Sequence, residues 1–169
     1  MSEALLAEAP KRTRPRPLYP RLQPRWCGLD HEGVEKNQRL RLIGAMIDVA
    51  GSKRGYAGAN IKLLSALAGV SRQTYYERFG TTEACFLATY EYVVGRAARR
   101  VSAAYRSEED SECKLRAAFD AYASEVMAEP KAARLALVEV LSAGPSALAE
   151  RERARQAFEH LAGASEETG

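Results

Sequence analysis

Proline is distributed along this chain in a way that leaves few folds open to it. Five of the seven prolines, Pro10, Pro15, Pro17, Pro20 and Pro24, fall within residues 9–26, and the next is Pro130. Each proline removes a backbone donor and disfavours the helical region for its predecessor, so this stretch is expected to be extended. It also carries Lys11, Arg12, Arg14, Arg16, Arg21 and Arg25 and no acid. Residues 1–33 are therefore read as a Pro/Arg-rich arm. Either it lies along a polyanion, or it is strapped to the domain through Leu18, Tyr19, Leu22 and Trp26.

Beyond Gly33 the pattern is helical. No alternating strand-like run occurs, and apolar residues recur at three- and four-residue spacing. A first helix is expected from about Glu35 to Lys53, with Leu40, Ile43, Ile47 and Ala50 as its stripe and Gly55 as its left-handed terminator. A short helix follows from Asn60, its cap, to Ala68, burying Ile61, Leu64 and Leu67. Another runs from Arg72 to Phe79 behind the cap Ser71, and a long one spans about Thr82 to Tyr105. Three more are expected over Ser111 to Ala128, Lys131 to Ala143 and Pro145 to Ala162. Residues 164–169 read as a frayed tail. The fold class is all-α.

Composition narrows the function classes. The 169 residues are 46% hydrophobic and 28% charged, ordinary for a soluble domain. No stretch approaches the roughly 20 uninterrupted apolar residues of a membrane helix, and the first residues lack the basic start of a secretory leader. No membrane association and a cytoplasmic location are the expectation. Cys27, Cys85 and Cys113 are odd in number and widely spaced, and His31 and His160 are the only histidines, so neither a disulfide framework nor a metal site is expected. Phosphate-cradling loops, dinucleotide fingerprints and nucleophile elbows are absent, so no cofactor and no enzymatic activity are expected. Charge is more telling in its distribution than in its sum of +3. Residues 1–106 carry 18 basic and 9 acidic side chains, and residues 107–169 carry 7 and 13. A basic front half suits a polyanionic partner.

The segment Ala68-Gly69-Val70-Ser71 points to DNA as that partner, the other reading being an ordinary surface helix of an all-α bundle. Gly69 permits the positive φ of a sharp interhelical turn, Val70 plugs the angle between the helices, and Ser71 caps the second of them. Two short helices so joined form a helix-turn-helix, whose second helix must offer polar side chains from its first turns to a major groove. Arg72 can pair with guanine and Gln73 with adenine, Tyr75 can pack on a thymine methyl, and Thr74 and Tyr76 can reach phosphates. The arm would then follow the same duplex or enter a minor groove.

The order Gly55-Tyr56, Ile61-x-x-Leu64 and Ala68-Gly69-Val70-Ser71-x-x-Thr74-x-Tyr76-x-x-Phe79 resembles the N-terminal domain of the TetR family of repressors, closely over about residues 39–95. The resemblance implies an all-α homodimer: a three-helix reading head (residues 34–81) joined by a long helix to a helical regulatory and dimerisation half (residues 82–163). It implies a palindromic double-stranded DNA operator and a small effector bound in the C-terminal bundle. Carried over residue by residue, base contacts fall on Arg72, Gln73 and Tyr75, and phosphate contacts on Thr74, Tyr76 and the start of the second helix near Asn60. Ile61, Leu64, Ala68, Val70 and Phe79 are the packing residues.

The chain departs from the family pattern in several places. Ala59 stands where a threonine is usual, and Gly51 where a bulky residue closes the first helix. Thr82 replaces a lysine, a lost charge that Lys62, Arg78 or the arm would offset. The chain also ends near the seventh helix, short of the family's last two. A small hydrophobic effector is expected near Tyr90, Val94, Phe119, Tyr122 and Val138, residues that at helical spacing equally suit a core. The other class of function that fits is a helical protein-interaction module derived from the same fold.

Overall fold

The structure, a computed structural model, describes residues 17–19 and 30–163, with side chains as far as Glu159. The expected tail and most of the arm, including Leu22 and Trp26, lie outside the described residues. Seven α-helices occur among those described: α1 His31–Ala50, α2 Ile61–Ala68, α3 Arg72–Arg78, α4 Thr82–Arg106, α5 Ser111–Ala128, α6 Pro130–Leu137 and α7 Pro145–Gly163. The described residues form no strand, and the all-α class holds. Among them, no single helix is long and apolar enough to cross a membrane.

Local chemistry sets most of these boundaries. Asp30 caps α1 by accepting the Gly33 N–H at 2.8 Å, so the helix begins four residues earlier than periodicity suggested. It also closes earlier, at Ala50 rather than near Lys53. A β-carbon at Gly51 would stand 2.2 Å from the Lys131 carbonyl oxygen, so the end of α1 is pressed against the start of α6. A bulky residue has no room there. Gly55 is not the terminator of α1. Its φ of 63° instead opens the 3-10 turn Tyr56–Gly58 that leads toward α2. Asn60 accepts from Leu63 N–H at 3.0 Å to start α2, and Gly69 ends that helix in the left-handed region at φ 68°.

The segment expected as one helix from Lys131 to Ala143 breaks after Leu137 and tightens into a 3-10 turn, Glu139–Leu141. The reason is visible in Glu139. Its buried carboxylate accepts the Tyr56 N–H at 2.8 Å and pairs with Arg134 at 2.9 Å. A regular helical turn need not bring that side chain to Tyr56. Gly55 must leave room for it, because a β-carbon there would approach Glu139 Oε2 to 2.7 Å.

One hydrophobic cluster joins the head, α1–α3, to the body, the long helix α4 with α5–α7. Leu42, Met46, Val49, Leu64, Leu67 and Tyr75 of α1–α3 pack with Phe86 and Tyr90 of α4, and Leu135 of α6, Val140 of the 3-10 turn and Ala147 of α7 extend the cluster. The rings of Tyr56 and Phe86 meet at 4.7 Å. No residue of α5 belongs to this cluster.

Candidate nucleic-acid interface

The helix α3 is held by its ends and its inner face. At its start the Ser71 hydroxyl accepts the Thr74 N–H at 2.9 Å. At its far end Arg78 reaches α1, with Nη1 2.6 Å from Glu35 and Nε donating to Gln38 at 3.3 Å. Beside it Arg39 of α1 lies over the Phe79 ring. Tyr75 is 0% exposed; its hydroxyl donates to the Thr81 carbonyl at 3.2 Å and its ring leans on Phe79. Burial, with Cys85 close by, pushes the Tyr75 phenol far above its ordinary range and the Cys85 thiol up to about 11. Neither group ionises near neutrality. They belong to the core.

This corrects one expected base contact. Tyr75 faces inward and cannot reach a groove, and the reason is helical phase: it lies four residues before the packing residue Phe79. Its neighbour Tyr76 is 57% exposed instead. Arg72 and Gln73 are exposed, as is Glu77, whose carboxylate accepts from Gln73 at 3.0 Å. The outward face is therefore Arg72, Gln73, Tyr76 and Glu77. Thr74 is half-buried at its edge, and its hydroxyl is 2.9 Å from that of Ser71. Lys62 is exposed on α2 and Asn60 is occupied in capping it. Arg78, expected to supply a phosphate contact, is committed to Glu35 and only one-fifth exposed. Glu77 was missed by sequence reasoning. Its position four residues after Gln73 was the available signal.

Of the arm, Pro17–Tyr19 are described, and they rest on the head. The Leu18 N–H donates to the Leu67 carbonyl at 2.8 Å, and Arg41 lies over the Tyr19 ring. A β-carbon at Gly44 would come within 2.3 Å of the Tyr19 hydroxyl. This short piece is a strap across α1 and the end of α2.

In the body, a cavity of about 470 Å³ opens between α4, α5, α6 and α7. Tyr90, Val94, Phe119 and Tyr122 line it. Val138 does not, because the break after Leu137 turns it to solvent. Phe119 and Tyr122 are partly exposed at their positions on α5, at 69% and 40%. The sequence did not announce the charged residues at this cavity: Arg96, Glu125, Arg151 and Arg155. Glu125 is buried, 2.7 Å from Arg96 Nε and also paired with Arg100, while Arg96 Nη1 lies 2.8 Å from Glu129. Among the described residues no group of three or more His, Cys, Asp or Glu is placed to hold a metal ion.

No family model matches the sequence, and no curated protein matches it. Its fold does match solved structures. One is a TetR family transcription regulator from Marinobacter aquaeolei VT8, with a TM-score of 0.69 at 18% identity, covering 82% of this chain and 73% of that one. The arrangement of head, long helix and body described above is thus the fold of a TetR family transcription regulator.

Proposed function

We propose that this chain is a sequence-specific DNA-binding transcription regulator, and that α3 is its reading helix. The observation that carries the reading is the division of α3 into two faces. Tyr75 anchors one in the core, while Arg72, Gln73 and Tyr76 are exposed on the other, Gln73 resting on Glu77. Arg72 is suited to guanine and Gln73 to adenine, and Glu77 can accept from a cytosine amino group. Lys62, Thr74 and Tyr76 would meet phosphates. The fold shared with a transcription regulator supports the same reading.

The finer expectations follow as part of this proposal. Two copies would present two heads to a palindromic operator, with half-sites about 34 Å apart or a multiple of it. The cavity beneath α4 would hold a small effector that shifts the spacing of the heads by a coupling free energy of about 1–3 kcal/mol, making the protein a ligand-responsive repressor in the cytoplasm. The cavity's size lies within the range of about 300–1,000 Å³ usual for small-molecule sites.

A second reading, a helical protein-interaction module, draws on Glu77, an acid on the outward face of α3. Selection of bound duplexes from a random pool separates the two. The DNA-reading proposal expects a palindromic consensus, and weaker, salt-sensitive binding to random duplex. Failure to retain any duplex at low salt would favour the protein-interaction module.

A further inference from the structure

The body cavity combines a broad apolar wall with a small set of charged groups, and these groups are not equivalent. The wall comes from all four surrounding helices, among them Val94, Ala97, Val126, Ala136, Leu137 and Phe158. Three arginines and one carboxylate complete the lining. Glu125 is neutralised by Arg96 and Arg100, and Arg155 is held by Glu152 and Glu159 on its own helix. Arg151 stands apart from these pairs. It is exposed, lines the cavity, and has no hydrogen bond or ion pair. It sits near Tyr90: burial raises that phenol's pKa, the Arg151 charge acts against the rise, and the Glu150 charge adds to it. A second donor is also unspent, since Arg96 Nη2 is buried without a hydrogen-bond partner.

A neutral apolar molecule would leave Arg151 without a direct ionic partner beside a newly dried wall, and a cation would be repelled there. An anionic head on an apolar body satisfies both parts of the lining. We propose that the cavity binds an amphipathic organic anion, with its acidic head on Arg151 beside the Tyr90 hydroxyl and its apolar body against α4, α5 and α6. This rests on the reading of the cavity as the effector site and names the chemical class of the effector. The buried Arg96 Nη2 offers a further hydrogen bond to an oxygen placed deeper in such a ligand.

The test uses the full chain and three probes of equal chain length, decanoate and decyltrimethylammonium below their micellar concentrations and 1-decanol below its solubility limit. Binding is measured by calorimetry, and release from the selected operator is measured alongside it. Decanoate is expected to bind at least tenfold more tightly than the other two. Arg151→Gln should bring decanoate down to the level of decanol, and Arg151→Glu should turn the preference toward the cation. Arg151 is exposed and unpaired, so thermal melting should be unchanged in both variants. Equal binding of all three probes, binding of none, or discrimination that survives in Arg151→Gln would each overturn the anion assignment. Decanoate binding that leaves operator affinity unaltered would instead uphold the site and overturn its role as effector site.

Discussion

Helices α1 and α5 are similar in length, 20 and 18 residues, and both carry apolar residues at helical spacing. They end in opposite situations. The first buries Leu42, Ile43, Ala45, Met46, Val49 and Ala50 in the shared cluster, whereas the second buries only Glu125. Leu115, Phe119, Tyr122 and Met127 of α5 are exposed, Met127 at 81%. Apolar periodicity specifies which face of a helix seeks a partner, and it does not say whether the partner is a core, a ligand or nothing within the same chain. The head is closed around its apolar residues and offers polar ones. The body leaves apolar residues lining an opening. That division suits the proposed reading of DNA at one end and of an amphipathic effector at the other.

Truncating one aromatic in each region should separate the two most strongly. Tyr75→Ala should cost about 3–5 kcal/mol, the usual range for emptying a buried aromatic site. Phe119→Ala should stay within about 0.5 kcal/mol of the parent, as surface changes do. Urea midpoints of the two variants decide it, and similar losses would erase the distinction between closed head and open body.

The seam between the regions comes next. Gly51→Ala places a β-carbon against the Lys131 carbonyl, backbone that can yield only by moving α6, and should cost about 1–3 kcal/mol in chemical denaturation. Glu139→Ala strands the Tyr56 N–H and frees Arg134. It should cost about 1–3 kcal/mol by the same measurement. Parent-like stability in both would mean that the seam contributes little to holding the two regions together.

The smallest effect concerns pH. The Cys85 pKa is raised from 9.0 to about 11 when folded, so its contribution to stability is complete below pH 9. That contribution is lost as pH climbs through about 11. Tyr75, raised from 10.0, acts in the same direction. Thermal midpoints should fall over this window, less steeply in Cys85→Ala. Native Cys85 should also resist iodoacetamide at pH 8 while the exposed Cys113 is alkylated. Equal labelling in peptide maps would contradict the closed core.

Much of the architecture was legible because local signals agreed. The caps Asn60 and Ser71, Gly69 in the turn, and Pro130 and Pro145 at helix starts each act within a few residues. What escaped depends on long-range contacts. Nothing near Gly51 shows that Lys131 will press on it, and nothing near Glu139 shows that Tyr56 will claim its carboxylate. The break of α6 and the outward turn of Val138 were hidden for the same reason. The burial of Tyr75 is different. The phase was fixed by Phe79, and a four-residue step back from it reaches Tyr75. The charged residues of the cavity were illegible because α4, α5 and α7 bring Arg96, Glu125 and Arg151 together from distant positions.

In the proposed function the outward side chains of α3 read DNA while its inner ones only hold it in place. Equilibrium binding of Arg72→Ala to the selected operator and to random duplex, with thermal melting in parallel, tests this most directly. Loss of about 1–3 kcal/mol on the operator, little change on random duplex beyond the lost charge, and an unaltered melting temperature are the predicted result. Full operator affinity and selectivity in this variant would contradict it.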